Sequence, residues 1–289
     1  MNAPTRPLVR YHGGKWILAP WIISHFPPHR IYVEPFGGGG SVLLRKPRCY
    51  AEVYNDLDVE IVNLFKVVRD RGDDLLRALE LTPFSRDEYL AAWEQNSDPL
   101  EAARRSLIRS FMGFGSAAVT LTRKAGDAPA GRTAPTGFRN NSNRSGTTPA
   151  HDWRNYPEQA VAVIDRLRGV VIENRNYAVL IPQLDQPDAL FYCDPPYPSS
   201  TRDKGSDYRH EMTDDEHRAL ARVLHDVRGM VVLSGYACEL YDRDLFAGWQ
   251  RVERPALADG ARPRTEVLWL NAACSGALEK AKTQQRLIA

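Results

Sequence analysis

The stretch Ile31–Asp56, IYVEPFGGGGSVLLRKPRCYAEVYND, decides the fold. An apolar strand, IYVEP, runs into four successive glycines; a short helix, SVLLRK, follows, and a second strand, YAEVYND, ends on a carboxylate. The next segment, LDVEIVNLFKVVRD, places Ile61, Leu64, Phe65 and Val68 at helical spacing. Strand, helix, strand, helix is the order of a parallel sheet wound by right-handed crossovers. Glycines between a strand end and a helix start let a ligand approach the backbone closely. Asp56 follows at the distance where a carboxylate accepts bonds from ribose hydroxyls.

Outward from this unit the same alternation resumes late in the chain. The strands are VVIENR, ALFYC, MVVLSGY, QRVERP and RTEVLWLN; the helices are PEQAVAVIDRLRG and TDDEHRALARVLHDV. Between the two halves the pattern breaks. Leu75 to about Phe114 reads as helices only, and Gly113–Ala150 is rich in Gly, Ser, Thr, Asn, Pro and Arg with almost no periodicity. A loop of that length in a compact domain usually has a function or is disordered until something binds. The expected organisation is a Rossmann-like α/β domain formed by residues 1–69 and 157–289, with a helical and loop insertion at 70–156. The tail after Asn271 reads as weakly ordered.

Charge is concentrated in that insertion. Arg104–Arg154 holds nine basic residues against Asp127 and Asp152, whereas the whole chain of 289 residues carries only +2. One segment therefore carries the basic character of the chain. The longest apolar runs, such as WILAPWII, are too short to span a membrane, and the first fifteen residues lack the apolar core of an export signal. Four scattered cysteines with no CxxC pair, and seven histidines with no HExxH, argue against a structural metal or a disulfide framework. A cytoplasmic protein without a metal is expected.

Two further stretches carry chemistry. RYHGGKW, Arg10–Trp16, sets Tyr11 four residues before Lys15 across a Gly-Gly turn. Lys15 can face a ligand carboxylate while Tyr11 packs on a flat or sulfonium-bearing group; His12 reads as a surface residue. ALFYCDPPYPSST, Ala189–Thr201, starts as a buried strand and stops on Asp194, Pro195, Pro196 and Tyr197. Two prolines fix φ and remove two N–H donors, so the carboxylate and the ring are held on a stiff turn.

Taken in order, Tyr11-x-Gly-Gly-Lys15, Glu34-Pro-Phe36-x-Gly38-x-Gly40-Ser41, Asn55-Asp56, the basic insertion, Asp194-Pro-Pro-Tyr197 and RTEVLWLN resemble the Dam-like, alpha-group, D12-class N6-adenine DNA methyltransferases. The motifs span Arg10 to Asn271. The resemblance implies a Rossmann-like S-adenosylmethionine-dependent methyltransferase fold with an inserted target-recognition domain, acting on double-stranded DNA as a monomer, with a cognate restriction enzyme as a partner in some members. It implies catalysis by Asp194, Pro195, Pro196 and Tyr197. The cofactor would be held by Tyr11, Lys15, Glu34, Phe36, Gly38, Gly40, Ser41, Asp56 and Asp194. Arg123, Lys124, Arg139 and Arg144 are the expected DNA contacts, with Asn140, Asn141 and Asn143 able to read adenine. The loop Pro198–Met212 is a candidate cover for the flipped base.

Rival readings stand beside this one. A cytosine-N4 or RNA methyltransferase of the same fold shares most motifs, although Asp in the first motif position favours adenine. Attack through a cytosine ring carbon needs a Pro-Cys pair, which the sequence lacks. An NAD-dependent oxidoreductase fits the glycine run less well, because the third glycine of G-x-G-x-x-G is missing. A catalytically idle DNA-binding relative would not need an intact Asp194-Pro-Pro-Tyr197.

Overall fold

The computed structural model describes residues 3–115, 136–140, 146–201, 209–258 and 262–288. Seven strands form one sheet: β1 (Ile31–Glu34), β2 (Ala51–Asn55), β3 (Val170–Glu173), β4 (Ala189–Cys193), β5 (Met230–Tyr236), β6 (Gln250–Ala258) and β7 (Arg262–Leu270). Their spatial order is β3-β2-β1-β4-β5-β7-β6. The five strands from β3 to β5 pair parallel, with Val33 between Val53 and Phe191 in register.

The parallel sheet expected from the alternation of strands and helices is present from β3 to β5 and needs correction only at the two closing strands. β7 runs antiparallel to both β5 and β6, so the sheet is mixed. β6 and β7 follow one another in the chain and pair side by side, and strands joined by a short connection pair antiparallel.

Alternation along the strands supplies both cores. Tyr32, Tyr54, Leu190, Tyr192, Val232 and Leu268 face one side. Val33, Val53, Phe191, Val231, Leu233 and Trp269, each shifted by one residue or pairing with such a shift, face the other. The period of two makes every strand contribute to two layers. On the first side lie the helices Val59–Asp70, Gly72–Glu80, Pro99–Met112 and Tyr156–Leu167; on the second lie Tyr177–Leu184 and Asp214–His225. The helices between β2 and β3 therefore share one apolar cluster with the sheet and have no core of their own.

The tail is also a correction. Ala272–Ile288 forms a helix. Asn271 starts it: its Oδ1 accepts the Cys274 N–H at 2.9 Å and the Val231 N–H at 3.0 Å, and its Nδ2 donates to the Gly229 carbonyl at 2.9 Å. A side-chain acceptor at a helix start satisfies an amide with no partner inside the helix. Cys274 is fully buried, and Ala277 and Leu278 pack on the first core.

Candidate active site

The parallel strands end on one rim, and β1 and β4 separate connections that run to opposite sides of the sheet. Ligands of such sheets bind outside the carboxyl ends at this switch. A cleft of about 340 Å³ opens there, lined from strand ends distant in sequence.

Its floor is the glycine run after β1. The end of β2 holds it: the Gly37 N–H donates to the Asn55 carbonyl at 2.7 Å, Tyr54 Oη donates to the Gly38 carbonyl at 2.7 Å, and Asn55 Nδ2 donates to the Pro35 carbonyl at 2.8 Å. Two of these glycines admit no side chain. A Cβ on Gly37 would stand 2.3 Å from the Tyr54 ring; Gly40 has φ +61° and faces the Phe65 ring. Tyr54 and Phe65 stack at 4.1 Å beneath the loop, so the turn rests on two buried rings. Tyr11 lies over it, close enough that a Cβ on Gly38 or Gly39 would meet it at 2.9 Å.

Asp56 closes this wall. Its Oδ2 accepts the Gly38 N–H and its Oδ1 the Asp58 N–H, both at 2.8 Å. Burial pushes its pKa up, against the pull of those amides. Each oxygen keeps acceptor capacity, since a carboxylate offers about four lone-pair sites. Glu34, at the end of β1, is buried and receives the Tyr32 hydroxyl at 2.5 Å. Burial raises its pKa to about 7, and the nearby negative charge of Asp194 adds to that.

The opposite wall is the turn after β4. Asp194 Oδ1 accepts the Ser234 hydroxyl at 2.7 Å, and Oδ2 faces Lys15 Nζ at 3.0 Å. Lys15 also donates to the Gly13 carbonyl at 2.9 Å and stands 3.8 Å from Glu266 Oε1. Tyr197 is buried; its hydroxyl donates to Glu266 at 2.5 Å, Tyr236 meets it edge-on at 4.7 Å, and the Lys15 ammonium is 4.8 Å from its ring centroid. The expected ligand cation thus lies against two protein carboxylates.

Of the sequence-derived residues, Tyr11, Lys15, Glu34, Phe36, Gly38, Ser41, Asp56, Asp194 and Pro196 all line this one cleft. Gly40, Pro195 and Tyr197 are adjacent in sequence to lining residues and are not themselves among them. Arg139 is elsewhere, its N–H bonded to the Met112 carbonyl at 2.8 Å and its guanidinium to the Phe111 carbonyl at 3.3 Å, at the end of helix Pro99–Met112. Arg123, Lys124 and Arg144, with Asn141 and Asn143, lie outside the described residues.

Part of the basic surplus is internal. Arg104 pairs with Glu101 at 2.7 Å and Glu88 at 2.8 Å, Arg105 with Glu101 at 2.7 Å, and buried Arg109 with Glu60. Charge counting along a sequence cannot see these partners.

The sequence reading left Ser234, Arg209 and Glu266 without roles. Arg209, on the far side of the loop after the proline turn, pairs with Asp58 at 2.6 Å and Glu60 at 2.9 Å. Glu266 had a visible signal: a lone acid opening the apolar run VLWL.

The profile of the D12 class N6 adenine-specific DNA methyltransferases matches residues 11–251. The chain belongs to that family. It is an adenine-specific DNA methyltransferase with the mixed seven-stranded sheet described above. A DNA adenine methylase of Vibrio cholerae serotype O1 is 25% identical over 256 residues, covering 85% of this chain and 86% of that protein. One from Serratia marcescens is 30% identical over 111 residues, 37% of this chain and 41% of that protein. A third, from Escherichia coli K12, is 23% identical over 199 residues, covering 66% and 65%. Among the described residues this methyltransferase has no helix long and apolar enough to cross a membrane and no acid, His or Cys group arranged to hold a metal ion.

Proposed function

We propose that this enzyme transfers the methyl group of S-adenosylmethionine to N6 of an adenine turned out of duplex DNA, with Asp194 at the reacting nitrogen. The observation that carries the reading is the convergence of the glycine run, Asp56 and Asp194 on one cleft from three strand ends. The cleft suits the cofactor. Its volume is in the range that holds a nucleoside-sized ligand, its glycine floor admits close approach, and Asp56 retains acceptor sites for ribose hydroxyls.

When bound, the cofactor supplies an electrophilic methyl carbon on a sulfonium. The chain supplies the rest. The exocyclic nitrogen of adenine is a weak nucleophile because its lone pair is delocalised into the ring. Ser234 orients Asp194 through Oδ1; Oδ2, which faces Lys15, is the oxygen that accepts one amino hydrogen, and the Pro195 carbonyl accepts the other. As positive charge builds on nitrogen, the fixed carboxylate stabilises it and receives the proton that the nitrogen sheds. Charge held in place before it is needed is the efficient form of such stabilisation.

Extruding the base costs a few kcal/mol, and stacking on an aromatic ring such as Tyr197 returns about 1–3 kcal/mol. The segment 70–156 serves as the target-recognition part, with Arg139, Arg123, Lys124 and Arg144 at the DNA. The test is to map modified bases in DNA from cells expressing the protein. N6-methyladenine within a fixed short motif is expected; methylcytosine without methyladenine would contradict the reading.

A further inference from the structure

Glu266 stands on β7 opposite Tyr236 of β5, with a side chain only 3% exposed. One of its oxygens accepts the Tyr197 hydroxyl at 2.5 Å and faces the Lys15 ammonium at 3.8 Å. That ammonium is closer to Asp194, at 3.0 Å, and lies 4.8 Å from the Tyr197 ring centroid. It therefore sits at the acceptor and near the ring that the target base requires.

For an amino group to reach Asp194 Oδ2, Lys15 must give way. A buried ammonium that leaves one carboxylate needs another, because an unpaired charge in the interior is heavily penalised. Glu266 is already within reach. Its burial is costly and raises its pKa, only partly offset by Lys15, and Asp194 adds repulsion. A carboxylate kept there against desolvation, on a strand of otherwise apolar inward residues, marks a functional position better than a stabilising one.

We propose that Glu266 is a positioning residue of the methyl transfer: it takes over the Lys15 ammonium when the target amino group occupies Asp194, and through the Tyr197 hydroxyl it fixes the ring on which the base rests. This rests on the adenine-methylating reading above. With Lys15 drawn to Glu266, the full charge of Asp194 faces the amino group. Without the Glu266 charge, Lys15 stays on Asp194 and quenches the acceptor.

The test compares wild type, Glu266→Gln, Glu266→Asp and Tyr197→Phe by steady-state and single-turnover methylation of duplex DNA, with thermal unfolding of each. Glu266→Gln keeps an oxygen for the Tyr197 hydroxyl and loses only the charge. Its kcat and single-turnover rate are expected to fall about 10²-fold, the scale of a misplaced reacting group, with both KM values within about threefold of wild type. Glu266→Asp, which restores the charge, should recover at least about tenfold over Gln. A folded Glu266→Gln with unchanged kcat, or equal losses in Gln and Asp, would overturn the proposal. Should Glu266→Gln fail to fold, Tyr197→Phe carries the test, because it leaves Glu266 in place: kcat falls with KM values kept if the proposal holds, and unchanged kcat defeats it. A wild-type reaction that yields no N6-methyladenine would instead overturn the underlying reading.

Discussion

Asp194 Oδ2 and Lys15 Nζ stand 3.0 Å apart, joining the glycine turn near the start of the chain to the proline turn after β4. Both residues line the cleft, and Ser234 holds the other oxygen of the same carboxylate. Asp194 is thus fixed from both sides before any substrate arrives.

Asp194→Ala should therefore remove an acceptor that is already oriented. The expected loss in kcat is about 10³-fold, comparable to deleting a preorganised charge-stabilising group, with DNA affinity within about threefold of wild type. Single-turnover methylation and a DNA-binding titration measure the two arms. Near-normal turnover would remove Asp194 from the mechanism.

Asp56→Ala should weaken cofactor binding. The carboxylate holds the Gly38 and Asp58 amides as well as facing the cleft, so its loss frees the glycine floor and removes a ribose acceptor together. Calorimetric titration with S-adenosylmethionine should show a Kd raised by about 10- to 100-fold, or about 1.4–2.8 kcal/mol at 1.4 kcal/mol per decade. Asp56→Asn, which keeps one acceptor oxygen, should lose less.

Glu34 gives stability a pH dependence of known sign. Burial raises its pKa to about 7 in the folded chain, above the unfolded value of 4.5. Its neutral form favours folding, so its contribution is fully present below about 4.5 and lost as pH rises towards 7. The unfolding free energy of wild type relative to Glu34→Gln, from urea titrations, should fall by up to about 3 kcal/mol between pH 4.5 and 7 and be flat above 8. A difference independent of pH would show that the carboxyl is already ionised in the fold.

The Glu52 ion triad should matter to stability and not to catalysis. Glu52 is buried between Lys46 and Arg166, each 2.6 Å away, at the end of the sheet remote from the cleft. Glu52→Gln leaves two cations without their counter-charge and should cost about 3–5 kcal/mol, read by urea unfolding. The kcat of the folded fraction should stay unchanged.

The proposed DNA contacts predict the salt dependence of binding. Replacing Arg123, Lys124, Arg139 or Arg144 by Ala should lower the slope of log affinity against log salt by about 0.9 where that residue meets a phosphate. An unchanged slope at Arg139 would leave it as a brace on helix Pro99–Met112, through its bond to the Phe111 carbonyl.

What was legible in the sequence was local. The central strands announced themselves as short apolar runs such as ALFYC and MVVL, the glycine run by four residues without side chains, and the proline turn by two successive residues unable to donate. The order of β5, β7 and β6 was not legible, because periodicity along a strand says nothing of its neighbour or direction. The helix Ala272–Ile288 escaped notice because Cys274, Ala277 and Leu278 are its small or isolated apolar contacts. The helix Tyr177–Leu184 was hidden by Pro182 and by a run too uniformly apolar to show a period. At the site, single motifs could be read while their partners could not: Ser234 and Glu266 act on Asp194 and Lys15 from other strands, and only the sheet brings them together.

The most direct measurement is nucleoside mass spectrometry of duplex DNA incubated with the wild-type protein and S-adenosylmethionine carrying a heavy methyl group. The account requires mass-shifted N6-methyladenine that disappears with Asp194→Ala. Heavy methyl on cytosine, or label in adenine that persists undiminished in Asp194→Ala, would contradict it.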